Sequence, residues 1–247
     1  AKARLALYKY LYNNPNTDLN SVAIFGESTG GVDGEGYILF MLSIFSSVFT
    51  IYAIVMMGKT MAGELHDGTM KMQLLRPVSR RAIISAKYLA VTTVTFALYI
   101  ILFIMLILIG GGIFKFSGGD VLMVINAQSV VKTSYATVFV LYMISYLFQT
   151  FAYIVLTMFL GNVTKGAGTS TALAIVALLF LGSIETLLGY IVIGYAGFTI
   201  NLSWISALTL SGPSLNFMNL YSMLAISIVW ILGLILGSYI SFERRDI

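Results

Sequence analysis

Few side chains in this 247-residue sequence could perform chemistry, and their types limit what it can be. The chain has no Cys and a single His, His66, so a zinc site built from two His or from thiolates cannot form. A serine triad would need His66, which lies between Glu64 and Asp67 without a nucleophile motif. Only one acid, Glu185, lies within a long apolar stretch, whereas an intramembrane aspartic protease needs two. We therefore expect that the chain is not an enzyme.

Gly58-Lys59-Thr60 has the letters that end a nucleotide-binding P-loop. The full motif requires a Gly five positions before Gly58, where this sequence has Ala53 inside an apolar stretch. The chain therefore has no nucleotide loop of its own. We expect that it binds no cofactor, and that any ATP and Mg²⁺ are bound by a partner subunit.

The composition of the chain indicates the type of fold that holds these side chains. In the whole sequence, 59% of the residues are hydrophobic and only 10% are charged. Soluble domains are about 45–50% apolar and about 25% charged. Five apolar stretches, at 37–57, 88–114, 134–160, 169–193 and 218–241, each have the roughly 20 residues that a membrane-spanning helix needs. The predicted fold is all-α: a polytopic helical membrane protein with five spans, forming a single transmembrane domain over residues 1–247.

The basic residues predict the orientation in the membrane. Lys and Arg are concentrated in the 58–87 loop and at the C-terminus, where Arg244 and Arg245 lie. The positive-inside rule places both regions in the cytoplasm, and we expect a multi-pass protein of the cell membrane with a cytoplasmic C-terminus. Residues 1–36 are then an external loop, and the uncharged segment 194–217 is external or re-entrant. An external start with five spans predicts a further span before Ala1, which makes six in the full-length protein.

The 58–87 loop has the signals of a short helix between two breaks. Gly68 is suited to a helix C-terminus, and Pro77 interrupts the chain before Ser79, which can N-cap the following helix. Arg80 and Arg81 then occupy the first turn, where cations oppose the helix dipole. Two interpretations remain open for them: contact with anionic lipid head groups, or contact with acidic groups on a docked cytoplasmic protein.

The same loop resembles the one between the second and third spans of permease subunits in type-2 ABC exporters. The topology agrees with that family, which has six spans, a cytoplasmic C-terminus and a nearly uncharged external segment before the last span. The resemblance is carried by Glu64, Gly68, Thr69, Lys71, Leu74, Leu75, Pro77, Val78, Ser79 and Arg80.

The resemblance implies a division of the loop and a set of partners. Residues 69–75 would form a coupling helix that docks in a groove of a separate cytoplasmic ABC ATPase subunit. Glu64 and Gly68 would mark its hinge, and residues 77–80 its exit, with Arg81 beside them. The 161–168 loop, with Asn162 and Lys165, would be a second, smaller ATPase contact or a plain connector. The family also implies a second permease copy, which would form a homodimer with the first. Membrane lipid is a further expected partner, and nucleic acid is not.

A stripe of polar side chains follows one face of the 134–160 span. At 100° per residue its members fall within roughly 60° of one another. Polar groups at this depth avoid lipid, so the stripe lines a transport path or forms a packing seam between helices. Its members are Tyr135, Tyr142, Tyr146, Gln149 and Tyr153.

Glu185 is a further candidate for the transport path, because an ionisable residue inside a span is a functional-site hypothesis by default. It lies about 24 Å along its helix from the cytoplasmic start, near the outer interface, where simple hydration is the alternative.

These features predict the membrane-spanning permease subunit of an ATP-driven ABC exporter. Its substrate would be amphipathic: a peptide, toxin, lipid or drug. One alternative is a membrane anchor or sensor that recruits an ATPase without transport. Another is a secondary transporter, which would need coupling-ion residues or broken helices at the midplane.

Overall fold

Five long helices dominate the computed structural model, which describes residues 2–15, 22–24, 34–60, 79–113, 120–126, 128–164, 166–188, 197–209 and 219–243. All five are long and apolar enough to cross a membrane. The chain is therefore a polytopic helical membrane protein, as its sequence predicts. The spans are α2 (Gly34–Gly58), α3 (Arg80–Ile113), α4 (Tyr135–Thr164), a fourth span that begins with α5 (Ala167–Val176), and α8 (Leu220–Glu243).

The spans alternate in direction, and polar contacts identify which ends lie together. At one end, Lys87 near the start of α3 bonds the carbonyl of Thr60, just after α2, and Asn162 near the end of α4 bonds Ser238 near the end of α8. We call this end, which carries the 61–78 loop, the loop side. The opposite end of the bundle carries a small β-sheet, and we call it the sheet side.

The fourth span is not a uniform α-helix. Between α5 and α6 (Gly182–Leu188) the backbone forms a π-helical turn, Ala177–Leu181. π-helical turns are rare in proteins, and those that occur are often found at functional sites. Beyond residue 196 the chain folds back in two short elements, α7 (Phe198–Leu202) and a 3₁₀ helix (Trp204–Leu208). Both are packed into the bundle, with Ile200, Leu202 and Trp204 buried.

The sheet is the one element type that the all-α expectation did not include. β2 (Asp120–Ile125) pairs antiparallel with β3 (Ser129–Ser134) and parallel with β1 (Val22–Ile24). β3 runs directly into α4 at Tyr135. The sheet therefore lies where the second span in the structure ends and the third begins.

Residues 121–125 of β2 are apolar because both faces of the strand are covered. Val121 and Met123 pack on the membrane bundle with Trp204 and Met223. Their neighbours Leu122 and Val124 point the other way and pack against Leu7, which belongs to α1 (Lys2–Asn13). Alternation of side chains along a strand produces this arrangement of bundle, sheet and helix in layers.

Asn126 ties the sheet to the last span. Its φ of 52° is in the left-handed region, which Asn tolerates better than most residues. The Asn126 side-chain Oδ1 accepts a hydrogen bond of 2.8 Å from the backbone N–H of Leu220, the first residue of α8. The Asn126 backbone N–H donates to the carbonyl of Ala207 at 2.9 Å. This one residue therefore joins the sheet, the 3₁₀ helix and α8.

Candidate functional site

Most of the predicted coupling loop lies outside the described residues. This applies to Glu64, Gly68, Thr69, Lys71, Leu74, Leu75 and Pro77, and also to Lys165 in the second predicted contact. The structure does describe the two ends of the loop, and their contacts determine how it is attached to the bundle.

Ser79 caps α3 as its sequence position predicts. The backbone N–H of Ala82 donates to the Ser79 side-chain Oγ at 3.3 Å, the geometry of an N-cap serine. Arg80 is the first residue of α3. The helix has 34 residues, so it is about 50 Å long and extends beyond the hydrocarbon core. The end of the loop at Ser79 therefore continues directly into a long helix.

Arg81 is engaged within the chain, by Glu243 at the end of α8. The guanidinium donates from Nε to one carboxylate oxygen of Glu243 and from Nη2 to the other at 3.2 Å. One turn further along, the hydroxyls of Ser85 and Tyr239 are 2.7 Å apart. The loop exit is therefore fastened to the last span, a contact that neither interpretation of the arginines considered.

Exchanging the charges of this pair tests its role. Arg81→Glu places two carboxylates together and should lower the melting temperature of the protein by a few degrees. The double variant Arg81→Glu with Glu243→Arg restores the pair, and it puts an acid at a helix N-terminus and a base at a C-terminus, as the dipoles favour. We expect its melting temperature to return to the wild-type value or above, measured by thermal unfolding in detergent. A double variant no more stable than Arg81→Glu would contradict this.

The loop entrance is also held. Lys87 is buried, and its ammonium donates to the carbonyl of Thr60 at 3.2 Å, where α2 passes into the loop. Gly58 lies against α5: a Cβ at this position would be 2.1 Å from the Thr171 methyl carbon. In the second predicted contact, Asn162 is buried and donates to the carbonyl of Ser238 at 3.2 Å. Asn162 therefore joins α4 to α8 and presents no exposed amide.

A hydroxyl network joins three spans midway along their length. The Thr150 hydroxyl lies 2.8 Å from the hydroxyls of both Thr50 and Tyr99, and the Tyr99 hydroxyl also donates to the carbonyl of Ser46 at 3.1 Å. All four residues are buried. Hydrogen bonds satisfy these polar groups inside a structure that is otherwise apolar, and they fix α2, α3 and α4 relative to one another.

Removing the central hydroxyl of this network should destabilise the bundle. Thr150→Val keeps the shape of the side chain and deletes two interhelical bonds, so we expect a loss of about 1–2 kcal/mol. Thr164→Val is the matched control, because among the described residues the Thr164 hydroxyl bonds only to the carbonyl of Leu160 in its own helix. The free energy of unfolding of each variant is measured in mixed micelles. Equal losses of stability in Thr150→Val and Thr164→Val would argue against the network.

Next to this network, an open cleft of about 480 Å³ lies between α2, α4 and the π-helical turn. α2 contributes a row of hydroxyls, α4 contributes Tyr146 and Gln149, and the π-helical turn contributes Leu178. Ser47 and Gln149 are close to the midpoints of their helices, so the cleft lies midway along the membrane-spanning bundle. The residues of α2 in it are Ser43, Ile44, Ser46, Ser47 and Thr50.

The tyrosine stripe of α4 does not line a single path. Tyr146 and Gln149 line the cleft, and the Tyr142 ring stacks on that of Tyr146 with centroids 6.0 Å apart. Tyr135 packs beside Phe139 nearer the sheet side, and Tyr153 is buried against the ring of Phe198. The stripe therefore serves as a cleft wall in its centre and as a packing seam towards its ends.

Glu185 has a defined local partner, the first turn of α7. Its carboxylate accepts hydrogen bonds from the backbone N–H of Phe198 at 2.7 Å, from the backbone N–H of Ile200 at 2.8 Å and from the hydroxyl of Thr199 at 2.6 Å. A negative group at a helix N-terminus is favoured by both the free N–H groups and the dipole. Glu185 is 8% exposed and holds the fold-back segment against the end of the fourth span.

The α2 hydroxyls were missed by the sequence analysis, although a signal for them exists. Their positions, 43, 46, 47 and 50, repeat at the spacing of one helical face. The Tyr99 hydroxyl had no comparable signal, because its partners lie on two other spans.

The comparisons with known proteins give one match. The family described as "Protein of unknown function (DUF2705)" matches residues 5–247. No curated protein and no solved structure matches the chain. The family match extends from α1 through the whole of α8, so it includes the sheet, the cleft and both ends of the loop.

Proposed function

The chain belongs to the DUF2705 family, and we propose that it is the membrane-spanning permease subunit of an ATP-driven ABC exporter. A separate cytoplasmic ATPase subunit, which binds ATP and Mg²⁺, would dock on residues 64–80. The chain would move an amphipathic substrate outward across the cell membrane, with its C-terminus in the cytoplasm. The active unit would contain two permease copies and two ATPase copies.

The observation that carries this proposal is the attachment of the loop whose residues resemble the coupling loop of type-2 exporters. Lys87 of α3 bonds the loop entrance at the end of α2, and the pair of Arg81 with Glu243 joins the loop exit to α8. A force applied to the loop by a docked protein would thus be passed to three spans. A loop with free ends would absorb the same displacement.

The polar cleft supports the transport part of the proposal. An open cleft with hydroxyl and amide groups at the centre of a membrane is costly when it faces hydrocarbon, since polar groups there lack partners. The hydroxyl network that joins α2, α3 and α4 is adjacent to this cleft and shares Ser46 and Thr50 with it. A rearrangement of α2 against α3 would therefore change the cleft.

Co-purification tests the docking step. The neighbouring genes are searched for a P-loop ATPase, which is expressed together with the affinity-tagged chain, and the complex is isolated in nanodiscs. We expect the ATPase to be retained at one copy per permease copy and to hydrolyse ATP. An adjacent gene without any P-loop protein, or an ATPase that does not bind the tagged chain, would contradict the proposal.

A further inference from the structure

No charged residue lines the cleft between α2, α4 and the π-helical turn in the part of the chain that the structure describes. Among the described residues inside the spans, the carboxylate of Glu185 is occupied by α7 and is not part of the cleft. The lining consists of hydroxyls, one amide and the apolar side chains of Ile44 and Leu178. An ionised group that entered it would lose its hydration without gaining a counter-charge, which is costly at this depth.

The hydrogen-bonding capacity of the lining is specific. The hydroxyls of Ser43, Ser46 and Ser47 each donate to a carbonyl of their own helix about one turn earlier, so their oxygens remain as acceptors for the cleft. The Gln149 amide makes no hydrogen bond within the described part of the chain, and it provides both donors and an acceptor. It is therefore available to bind a group that enters the cleft.

From this lining we infer that the cleft is a binding site for an uncharged amide or hydroxyl group carried on an apolar chain. The Gln149 amide pairs with the polar group, and the α2 hydroxyls accept from its N–H or O–H. Ile44 and Leu178 contact the apolar part. Leu178 belongs to the π-helical turn, so this side of the cleft is formed by a backbone that departs from regular α-helix.

This inference deepens the proposed function and rests on it for the identity of the occupant as substrate. It selects within the amphipathic class: neutral amphiphiles with an amide or hydroxyl enter the cleft, and those with an ionised head do not. Binding itself needs no ATPase, so the binding test can succeed or fail independently of docking and transport.

Photolabelling of the full chain in nanodiscs tests the site. The probe is N-dodecyl-4-azidobenzamide, and labelled peptides are identified by mass spectrometry. We expect labelling in the segments that contain residues 43–50 and 146–149. Dodecanamide should compete at about tenfold lower concentration than dodecanoate or dodecylamine, which have the same chain length and an ionised head.

Gln149→Leu should reduce the labelling of both segments about fivefold, the effect of one hydrogen bond of about 1 kcal/mol. Ser47→Ala should reduce it in the same direction. Gln128→Leu is the matched control, because Gln128 is exposed in the turn between β2 and β3. Equal competition by the three amphiphiles, or labelling that Gln149→Leu leaves unchanged, would overturn the inference and indicate partition into lipid.

Discussion

Replacing residues 69–75 by a Gly-Ser linker of equal length is expected to lower ATPase binding by about a hundredfold or more. The segment contains Leu74 and Leu75, whose burial in a docking groove is worth about 1.5–3 kcal/mol each. Glycine also raises the cost of forming a helix by about 1 kcal/mol per residue. A loss of about 3 kcal/mol corresponds to about a hundredfold in affinity. Binding of the purified ATPase to the chain in nanodiscs measures the effect.

The loop replacement should leave membrane insertion intact, because the five spans are unchanged. The control places the same linker at residues 210–216, in the segment expected on the opposite side of the membrane. We expect that variant to bind the ATPase as the wild type does. Retained ATPase binding in the 69–75 variant would show that the coupling segment is assigned to the wrong residues.

The second large effect is expected at the contact of Glu185 with α7. Glu185→Gln keeps the size of the side chain but replaces one carboxylate oxygen by an NH₂ group. This group then faces a donor whose hydrogen bond the carboxylate accepts in the wild type. Leaving a buried N–H without an acceptor costs about 1–3 kcal/mol. We expect a loss of about 2–3 kcal/mol and a melting temperature lower by about 5–10 °C.

Gly197→Ala should act on the same contact from the other side. A Cβ at Gly197 would lie 2.8 Å from Oε2 and 2.9 Å from Cδ of Glu185. The carboxylate must then move away from the N–H groups whose hydrogen bonds it accepts. Gly233→Ala is the matched control, because no atom of the described residues lies within 4 Å of a Cβ at that position in α8. If the two alanine variants have equal melting temperatures, Glu185 does not hold the fold-back segment.

A cysteine reporter separates a local release of α7 from global unfolding. The chain has no Cys, so Ser203→Cys, between α7 and the 3₁₀ helix, is labelled alone. We expect a membrane-impermeant maleimide to react faster with this reporter in the Glu185→Gln background. A reporter on the loop side should be unaffected.

The spans could be predicted from the sequence because burial in lipid requires only long apolar runs without Pro. The start of α3 at Arg80 was also accessible, since Ser79 has the chemistry of a cap and Pro77 precedes it. The sheet was not, because residues 121–125 are apolar on both faces and form too short a run to be distinguished from a loop by periodicity. Both faces are apolar since one packs on the bundle and the other on α1.

The polar contacts that define the site were harder to predict, because they join residues far apart in the sequence. A helical wheel places Tyr146, Gln149 and Tyr153 on one face, but it does not say that Phe198 covers Tyr153 while Gln149 remains at an open cleft. The position of Glu185 near one end of its span was predictable from counting residues. Its partner was not, because the α7 turn that it caps is defined by the tertiary fold.

ATP-driven movement of a substrate tests the central proposal most directly. The chain and its ATPase are reconstituted in liposomes with a neutral NBD-labelled dodecyl amide, and dithionite quenches the label outside the vesicles. With MgATP added outside, only complexes with an outward-facing ATPase are active, and we predict that the protected fraction rises. It should not rise with a non-hydrolysable ATP analogue. ATP hydrolysis with an unchanged protected fraction would contradict export and favour an anchor or sensor. Accumulation driven by a pH gradient without ATP would contradict ATP-driven export and favour a secondary transporter.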